Sequence, residues 1–598
     1  MTYPVTVRLH DLDPAGPRLS YQQKRVLALG LTFAPPDAHN NLTNFDAHRL
    51  LKAVQWRITL GPQSQAAEIP RLALPSTKRP PEHARAQTAP LAFRIYHAVG
   101  QLNEQLSTLP AHPYVAIANS IRNDPGIVIC KADKGLGLCK MSPQQYDDMC
   151  SLFLQHLHKL DNGASPQEIV AASHRAVHSW LQLAKALNIE FSPFRYIVER
   201  TKQCDTLPKF YALVKLHKGT NTPLQPRPII AAHDSPTSAV STWLSHALVP
   251  VVQRMPTYIR DSSHLIELLR SRTFPDGARV FTGDVAAMYP NMRPQETINN
   301  TMEALSIAYN GQMPPWTKLV PRAIQLLYDY NYFTYKDEMY LQNQGIAMGS
   351  NASAPLSDLY LVIAELHFLQ PLINSGAAYY GRFRDDIIAV CEPYMAQSTL
   401  IPFKEAIQPL ELILSEPATR AAFLDIEVHI HQGKLEFRTY SKESNLHFYI
   451  PPFSNHPPHT KRSWVYGEIL RLHRTNSKQE WFLERIKLLF AALRQRGYGN
   501  ALIEQAAKKW TNRFHGAVAF PGPTTPVKLL PLLGNDAMPT AAPPPLIFAI
   551  PTDPMLRRTL LPILFGEYAA LKSIYTHLPQ PTVAYTMGRK LGQWWSTK

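Results

Sequence analysis

Cysteine is scarce in this chain of 598 residues. Five are present, Cys130, Cys139, Cys150, Cys204 and Cys391, an odd number with no CxxC spacing. That excludes a disulfide framework and a zinc knuckle and points to a reducing compartment. Cys150 with His156 and His158 could be drawn as part of a metal site, but a solvated helix face is the better reading. No apolar run reaches the length of a membrane span, and the opening residues MTYPVTVRLHDLDP lack the apolar stretch of a secretory signal. The expectation is a soluble, intracellular protein with no membrane partner. Acids are also in deficit. Asp plus Glu number 45 against 61 Lys plus Arg, giving a net charge of +16 and a pI near 9.4. Such a surplus favours a polyanionic partner, nucleic acid ahead of a membrane surface.

What is present can fold. Apolar residues make up 45% and aromatic residues 10% of the chain, and its length calls for several cores rather than one. Residues 1 to about 115 are mixed, rich in Pro and Ala, and include the linker-like PSTKRPPEHARAQTAP at 75–90. GIVICKADKGLGLCKM (126–141) reads as strand, turn, strand. PKFYALVKLHKGTNTPLQPRPIIAA (208–232) gives two β-rich runs around a basic loop. Between 280 and 440, short strands alternate with longer helical segments, the pattern of an α+β layer with an antiparallel sheet. Beyond 464 the pattern is helical. In QEWFLERIKLLFAALRQRGYG, Phe482, Ile486, Leu489 and Leu493 share one face, and Gly497 marks the stop. Residues 520–555 are dense in proline and read as an irregular connection.

The chemistry centres on YYGRFRDDIIAV (379–390), where Asp385 and Asp386 stand side by side behind Arg384. Adjacent carboxylates repel, and a fold tolerates them best with a cation between them and a further partner. The natural partner is Asp284 in FTGDVAAMYPNM, which follows a β-rich run. Three aspartates at one sheet edge make a hard, all-oxygen site suited to Mg2+. Two such ions activate a hydroxyl and stabilise the leaving group of an in-line phosphoryl displacement. Taken alone, a DD pair is a solvated turn and an Asp after a strand a helix cap; the order of the other motifs raises the odds. QNQGIAMGSNASAPLSDLYL (342–361) offers small residues, Gly345 among them, for close backbone approach, and Gln344 to hydrogen-bond a template or nucleotide. Arg227 in LQPRPII can grip a triphosphate, and Lys215 adds a point charge. Tyr289 lies five residues beyond Asp284, where a ring under a sugar collides with a 2′-hydroxyl; a packed core tyrosine is an equal reading.

Together these motifs resemble a reverse transcriptase, most closely those of Penelope-like retroelements, whose polymerases are similar to telomerase's. IVICKADKGLGLCKMSPQQY resembles the family's upstream ADKG motif, and PKFYALVKLHKG with PLQPRPII its fingers motif. FTGDVAAMYPNM, QGIAMGSNASAPLSDLYL, RFRDDI and FLDIEVHIHQGKLEFRTY follow as palm motifs in family order. FYIPPFSNHPPHTKRSWVYGEILRLHR resembles the family's opening of the thumb. The likeness covers roughly 120–510. It implies a right-hand polymerase: an N-terminal extension (1–115), fingers (116–260), a palm with an antiparallel sheet (261–445), and a helical thumb with a C-terminal extension (446–598).

The resemblance also implies roles. Asp284, Asp385 and Asp386 are catalytic and carry two Mg2+ ions, with Mn2+ as a substitute. Tyr289 is a sugar gate, and Arg227, Gln344, Gly345 and Lys215 bind the nucleotide, with Lys134 a further contact. Phe383, Arg384, Lys461 and Arg462 face nucleic acid. RNA template, DNA primer and deoxynucleotides are the implied partners, and the nucleus the implied location. Three departures stand out. Phe383 replaces the usual tyrosine before the acids. Arg384 occupies a position usually small or apolar, where it either pairs with Asp386 or reaches primer phosphate. No lysine near LELILSEPATRAAFLDIEV suggests itself for protonating pyrophosphate. The chain also lacks anything like a GIY-YIG endonuclease after the thumb, so a form that uses an existing 3′ end is expected. An RNA-synthesising enzyme and a non-catalytic binding protein are the alternatives.

Overall fold

The computed structural model describes residues 9–30, 32–34, 47–60, 81–107, 113–160, 165–189, 193–216, 223–442, 449–514, 547–551, 554–574 and 582–586. The basic loop 217–222, the linker at 75–80, most of the proline-dense 520–555 and the last stretch, 587–598, lie outside the described residues.

The strand–turn–strand at 126–141 forms as its sequence predicts: β2 (Val128–Lys131) and β3 (Leu138–Met141) pair antiparallel, with Cys130 opposite Cys139. A strand that carries no sequence signal, β1 (Leu9–Asp11), pairs parallel with β3 and so crosses the boundary expected near 115. Buried Lys140 of β3 holds it there, its Nζ lying 2.9 Å from the Asp11 carboxylate. The helix Pro143–Leu154 follows, started by a reciprocal cap in which the Ser142 hydroxyl accepts from the Gln145 N–H and the Gln145 side chain accepts from the Ser142 N–H. Cys150 on this helix is fully buried, so the expected solvated face holds only for the exposed His156 and His158. Beyond it come the short β4 (His158–Lys159), then β5 (Phe210–Val214) and β6 (Pro226–Ile230), an antiparallel hairpin.

The central sheet begins with β7 (Arg279–Ala286). A hairpin of β8 (Tyr332–Tyr335) and β9 (Glu338–Leu341) pairs with β4. β10 (Tyr379–Phe383) and β11 (Asp386–Cys391) form the hairpin that carries the acid pair, and β12 (Glu411–Leu414) closes the sheet in the order β10–β11–β7–β12, all antiparallel. Why DIIAVC reads as a continuous apolar run is now plain. Side chains alternate across a strand. Ile387, Ala389 and Cys391 pack into the largest core, with the helices Pro166–Ala186, Ser238–Val252, Val320–Asp329 and Ser353–Phe368. Ile388 and Val390 face the opposite core, shared with the meander β13 (Arg420–Phe423), β14 (Ile426–His431) and β15 (Lys434–Thr439). A strand buried on both faces has no polar side except at its ends, and Asp386 is its first residue.

The helices Pro458–Arg474, Gln479–Gln495 and Asn500–Phe514 pack around Phe482, Leu489, Leu493 and Trp510. The predicted stripe is there, with Ile486 half-buried and Gly497 at φ 91° just past the helix end. Helices Ala47–Leu60 and Ala89–Ser107 share a core with Pro554–Ile574, and β16 (Ile547–Pro551) pairs with β17 (Thr582–Thr586). Among the described residues no helix is long and apolar enough to cross a membrane.

Candidate functional site

Register brings the predicted acids together. In the β11–β7 pairing Asp386 stands directly opposite Asp284. Directly opposite residues of an antiparallel pair project to the same face, with Cβ atoms about 4.5–5.5 Å apart. Asp385 occupies the two-residue turn before β11, and its carbonyl accepts a hydrogen bond of 2.9 Å from the Val285 N–H, tying the turn to the strand that carries Asp284. Like charges placed this way are unfavourable. The consequence appears at Asp386, whose carboxyl is pushed up to about 6, first by burial and then by the charges of Asp385 and Asp284; Lys442 and Lys134 pull it back.

The loop predicted to meet the nucleotide is joined to the segment that follows β7. Tyr289 sits in the short helix Met288–Asn291, entered through Ala287 at φ 47°. Its carbonyl accepts from the Ile346 N–H at 2.9 Å, and the Met292 carbonyl accepts from the Gly345 N–H at 3.1 Å. Gly345 has φ 75°, and a Cβ there would lie 2.4 Å from the Pro290 oxygen. Only glycine allows this approach. Gln344 is exposed beside it, while Tyr289 is half-buried against the largest core.

Arg227 and Lys134 also converge. The Arg227 Nε lies 3.1 Å from Oδ2 of Asp133, and Asp133 is buried while Arg227 is 42% exposed. Asp133 Oδ1 accepts from the N–H of Lys134, an exposed residue in the left-handed region at φ 56°. Lys215 follows β5, and its N–H donates to the Gln225 carbonyl at 2.9 Å. Sequence reasoning had Arg227 and Lys134 but missed Asp133, which stands beside Lys134 in the ADKG motif and anchors Arg227.

Arg384 requires a correction. Its guanidinium does not pair with Asp386. It forms an ion pair with Asp358 of the Ser353–Phe368 helix, and its Nη1 donates to the Ala354 carbonyl at 2.9 Å. Beside it, buried Arg382 pairs with buried Glu365. Asp358, Glu365 and Arg382 were not singled out from sequence. Phe383 packs its ring partly into the core shared with the β13–β15 meander, on the face that carries Asp284 and Asp386.

Lys461 and Arg462 lie in the first two turns of the Pro458–Arg474 helix, on the three-helix unit rather than on the central sheet. Burial lowers the Lys461 ammonium pKa, whereas exposed Arg462 lines an open groove of about 590 Å³ with Gln505 and Lys508.

Do these residues fit Mg2+? Among the described residues no cluster of His, Cys, Asp or Glu is drawn together as a finished metal cage. Mg2+ does not need one; it keeps several waters and is held by one or two carboxylates together with substrate phosphates. An all-oxygen set whose members repel one another suits that mode.

The family described as an animal helix-turn-helix domain matches residues 448–508, a span that overlaps the three-helix unit. No curated protein matches the chain. Among solved structures it is similar to telomerase from Candida albicans in complex with the TWJ fragment of telomeric RNA, with 11% identity and a TM-score of 0.46 over 79% of this chain and 74% of that one. It is similar to apo telomerase from Candida tropicalis, with 10% identity and a TM-score of 0.38 over 71% and 72%. It is also similar to the Sicinivirus 3Dpol RNA-dependent RNA polymerase, with 11% identity and a TM-score of 0.35 over 61% and 89%. At these distances the functional reading rests on the chain's own residues.

Proposed function

We propose that this chain is a template-directed nucleotidyltransferase, and more finely an RNA-directed DNA polymerase of the Penelope-like kind. It extends the 3′-hydroxyl of a DNA primer on an RNA template, in the service of a retroelement and in the nucleus. The observation that carries the reading is Asp284 directly opposite Asp386, with Asp385 in the adjoining turn. Like charges directly opposite each other on two inner strands are destabilising, so the pair calls for a reason other than stability.

Asp284, Asp385 and Asp386 would hold Mg2+, or Mn2+ in its place, which supplies charge neutralisation on the phosphates and activation of the 3′-hydroxyl. The remaining work belongs to side chains of the chain itself. Arg227, oriented by Asp133, presents its guanidinium to the triphosphate, with Lys134 and Lys215 adding positive charge. Gln344 and Gly345 bring backbone and amide to the incoming nucleotide, and Tyr289 closes the space a 2′-hydroxyl needs. Phe383 flanks the primer end. Lys461 and Arg462 hold hybrid backbone, a contact that fixes register without reading sequence.

The test supplies an RNA template, an annealed DNA primer and Mg2+, with deoxynucleotides or ribonucleotides added separately. Extension with deoxynucleotides is the expected result, and Tyr289→Ala should admit ribonucleotides. Extension mainly by ribonucleotides in the unaltered protein moves the reading to RNA synthesis. No extension, despite salt-sensitive hybrid binding, leaves a binding protein.

A further inference from the structure

Arg384 occupies an expensive position. It is the first residue of the two-residue turn between Phe383 and Asp386, with φ 59°. A two-residue hairpin loop with positive φ at that place normally uses glycine, because a Cβ is disfavoured there. A non-glycine residue persists in such a conformation only where its surroundings hold it. Here two sets of contacts hold it. Its side chain pairs with Asp358 and donates to the Ala354 carbonyl, both on the Ser353–Phe368 helix. Its own carbonyl accepts 2.9 Å from Nη1 of Arg382.

Arg382 is fixed in turn. Its Nη2 donates to the Asp358 carbonyl at 2.6 Å and to Glu365 Oε2 at 3.2 Å, and its Nε pairs with Glu365 Oε1. Glu365 also accepts from the Tyr380 hydroxyl at 2.9 Å and the Thr257 hydroxyl at 2.7 Å. The two arginines stand two apart around a strand end, and the two acids seven apart on one helix face. Two positive and two negative charges cancel, so the ladder is neutral although mostly buried. Oδ2 of Asp358 is buried with no hydrogen bond, and the Arg384 ion pair is what it faces. Removing the arginine takes away the nearer of the two cations of this buried carboxylate and leaves it only Arg382, whose Nη1 lies 3.6 Å from Oδ1.

We propose that Arg384 is a positioning residue: it clamps the turn that carries Asp385 to the Ser353–Phe368 helix, and so sets Asp385 and the adjoining Asp386 against Asp284. The proposal rests on the polymerase reading for its consequence, but not for its geometry. The next peptide unit after Arg384 belongs to Asp385, whose carbonyl is held from the other side by Val285. The turn is gripped by the helix on one flank and by β7 on the other. A guanidinium used this way does not serve as a ligand for primer phosphate.

The test compares Arg384→Ala, Arg384→Gly, Asp358→Asn and the Arg384→Ala/Asp358→Asn pair with the unaltered chain. Three quantities are read: single-turnover extension rate, hybrid affinity with its salt dependence, and amide hydrogen exchange over 383–387. Misplaced reacting groups cost rate steeply, so Arg384→Ala and Asp358→Asn should each lose about 10- to 100-fold in rate. Hybrid affinity should stay within about twofold, since no phosphate contact is lost. The pair should be no slower than the slower single change, because both act through one contact. Exchange over 383–387 should quicken in each variant. Arg384→Gly suits the turn without the tether, so a rate equal to the unaltered chain would overturn the proposal. So would weakened, less salt-dependent hybrid binding in Arg384→Ala with Asp358→Asn fully active, which makes Arg384 a phosphate ligand. If the unaltered chain extends no primer while exchange quickens as stated, the clamp stands and the polymerase reading falls. If extension is normal and neither rate nor exchange responds, the clamp falls and the reading stands.

Discussion

At neutral pH Asp386 must ionise half-buried, opposite one carboxylate and beside another. Its folded value of about 6 lies above the roughly 3.9 of an unfolded aspartate. A raised acid contributes stability that is complete below its unfolded value and is lost as pH climbs through the folded one. In buffer without divalent cations, Asp386→Asn should therefore melt above the unaltered chain near pH 7.5, and the gap should narrow to about half by pH 5. Calorimetry across that range checks it, and a gap indifferent to pH would contradict it. Gly345→Ala should cost at least about 1–3 kcal/mol in urea denaturation from backbone strain alone, and raise KM for nucleotide through the displaced loop. The three aspartates were legible in sequence because their type, order and neighbours state a chemistry. The partner of Arg384 was not, because it comes from a helix whose apolar character hides it. A signal existed: SDLYLVIAEL places Asp358 and Glu365 seven residues apart in an otherwise apolar helix, and buried acids require cations.

Among elements, the hairpins and the amphipathic Gln479–Gln495 helix follow from local pattern, and the structure has them where pattern placed them. Junctions do not follow from pattern. The last strand of the meander, β15, meets the three-helix unit through buried Asn476. Its Oδ1 accepts from the Thr439 N–H at 3.0 Å, and its Nδ2 donates to Thr439 Oγ1 at 2.7 Å and the Leu472 carbonyl at 2.6 Å. Asn476→Ala strands these groups away from water and should cost about 1–3 kcal/mol. The denaturation midpoint should fall with its slope unchanged; an unmoved midpoint would show that the junction carries no stability. Strand β1 escaped sequence reading for a related reason. Three residues are too few for a period, and what holds them is Lys140, far along the chain.

Over the whole molecule, the N-terminal segment links units that sequence reading kept apart. After β1 joins the β2–β3 sheet, the Leu29 carbonyl accepts 2.9 Å from Nη2 of buried Arg496, at the end of the Gln479–Gln495 helix. Such contacts span hundreds of residues, and no local periodicity announces them. The net charge of +16 belongs to this scale too. Hybrid affinity should fall steeply as salt rises, and Lys461→Ala with Arg462→Ala should reduce the log–log slope by about two, one for each phosphate contact. An unchanged slope would remove both residues from the interface. The central claim is that Asp284, Asp385 and Asp386 form one nucleotidyl-transfer site. Single-turnover primer extension with each aspartate changed to Asn in turn, and hybrid binding measured alongside, tests it most directly. The account predicts that each change abolishes extension and leaves hybrid binding intact. Extension that survives the loss of any one of the three would contradict it.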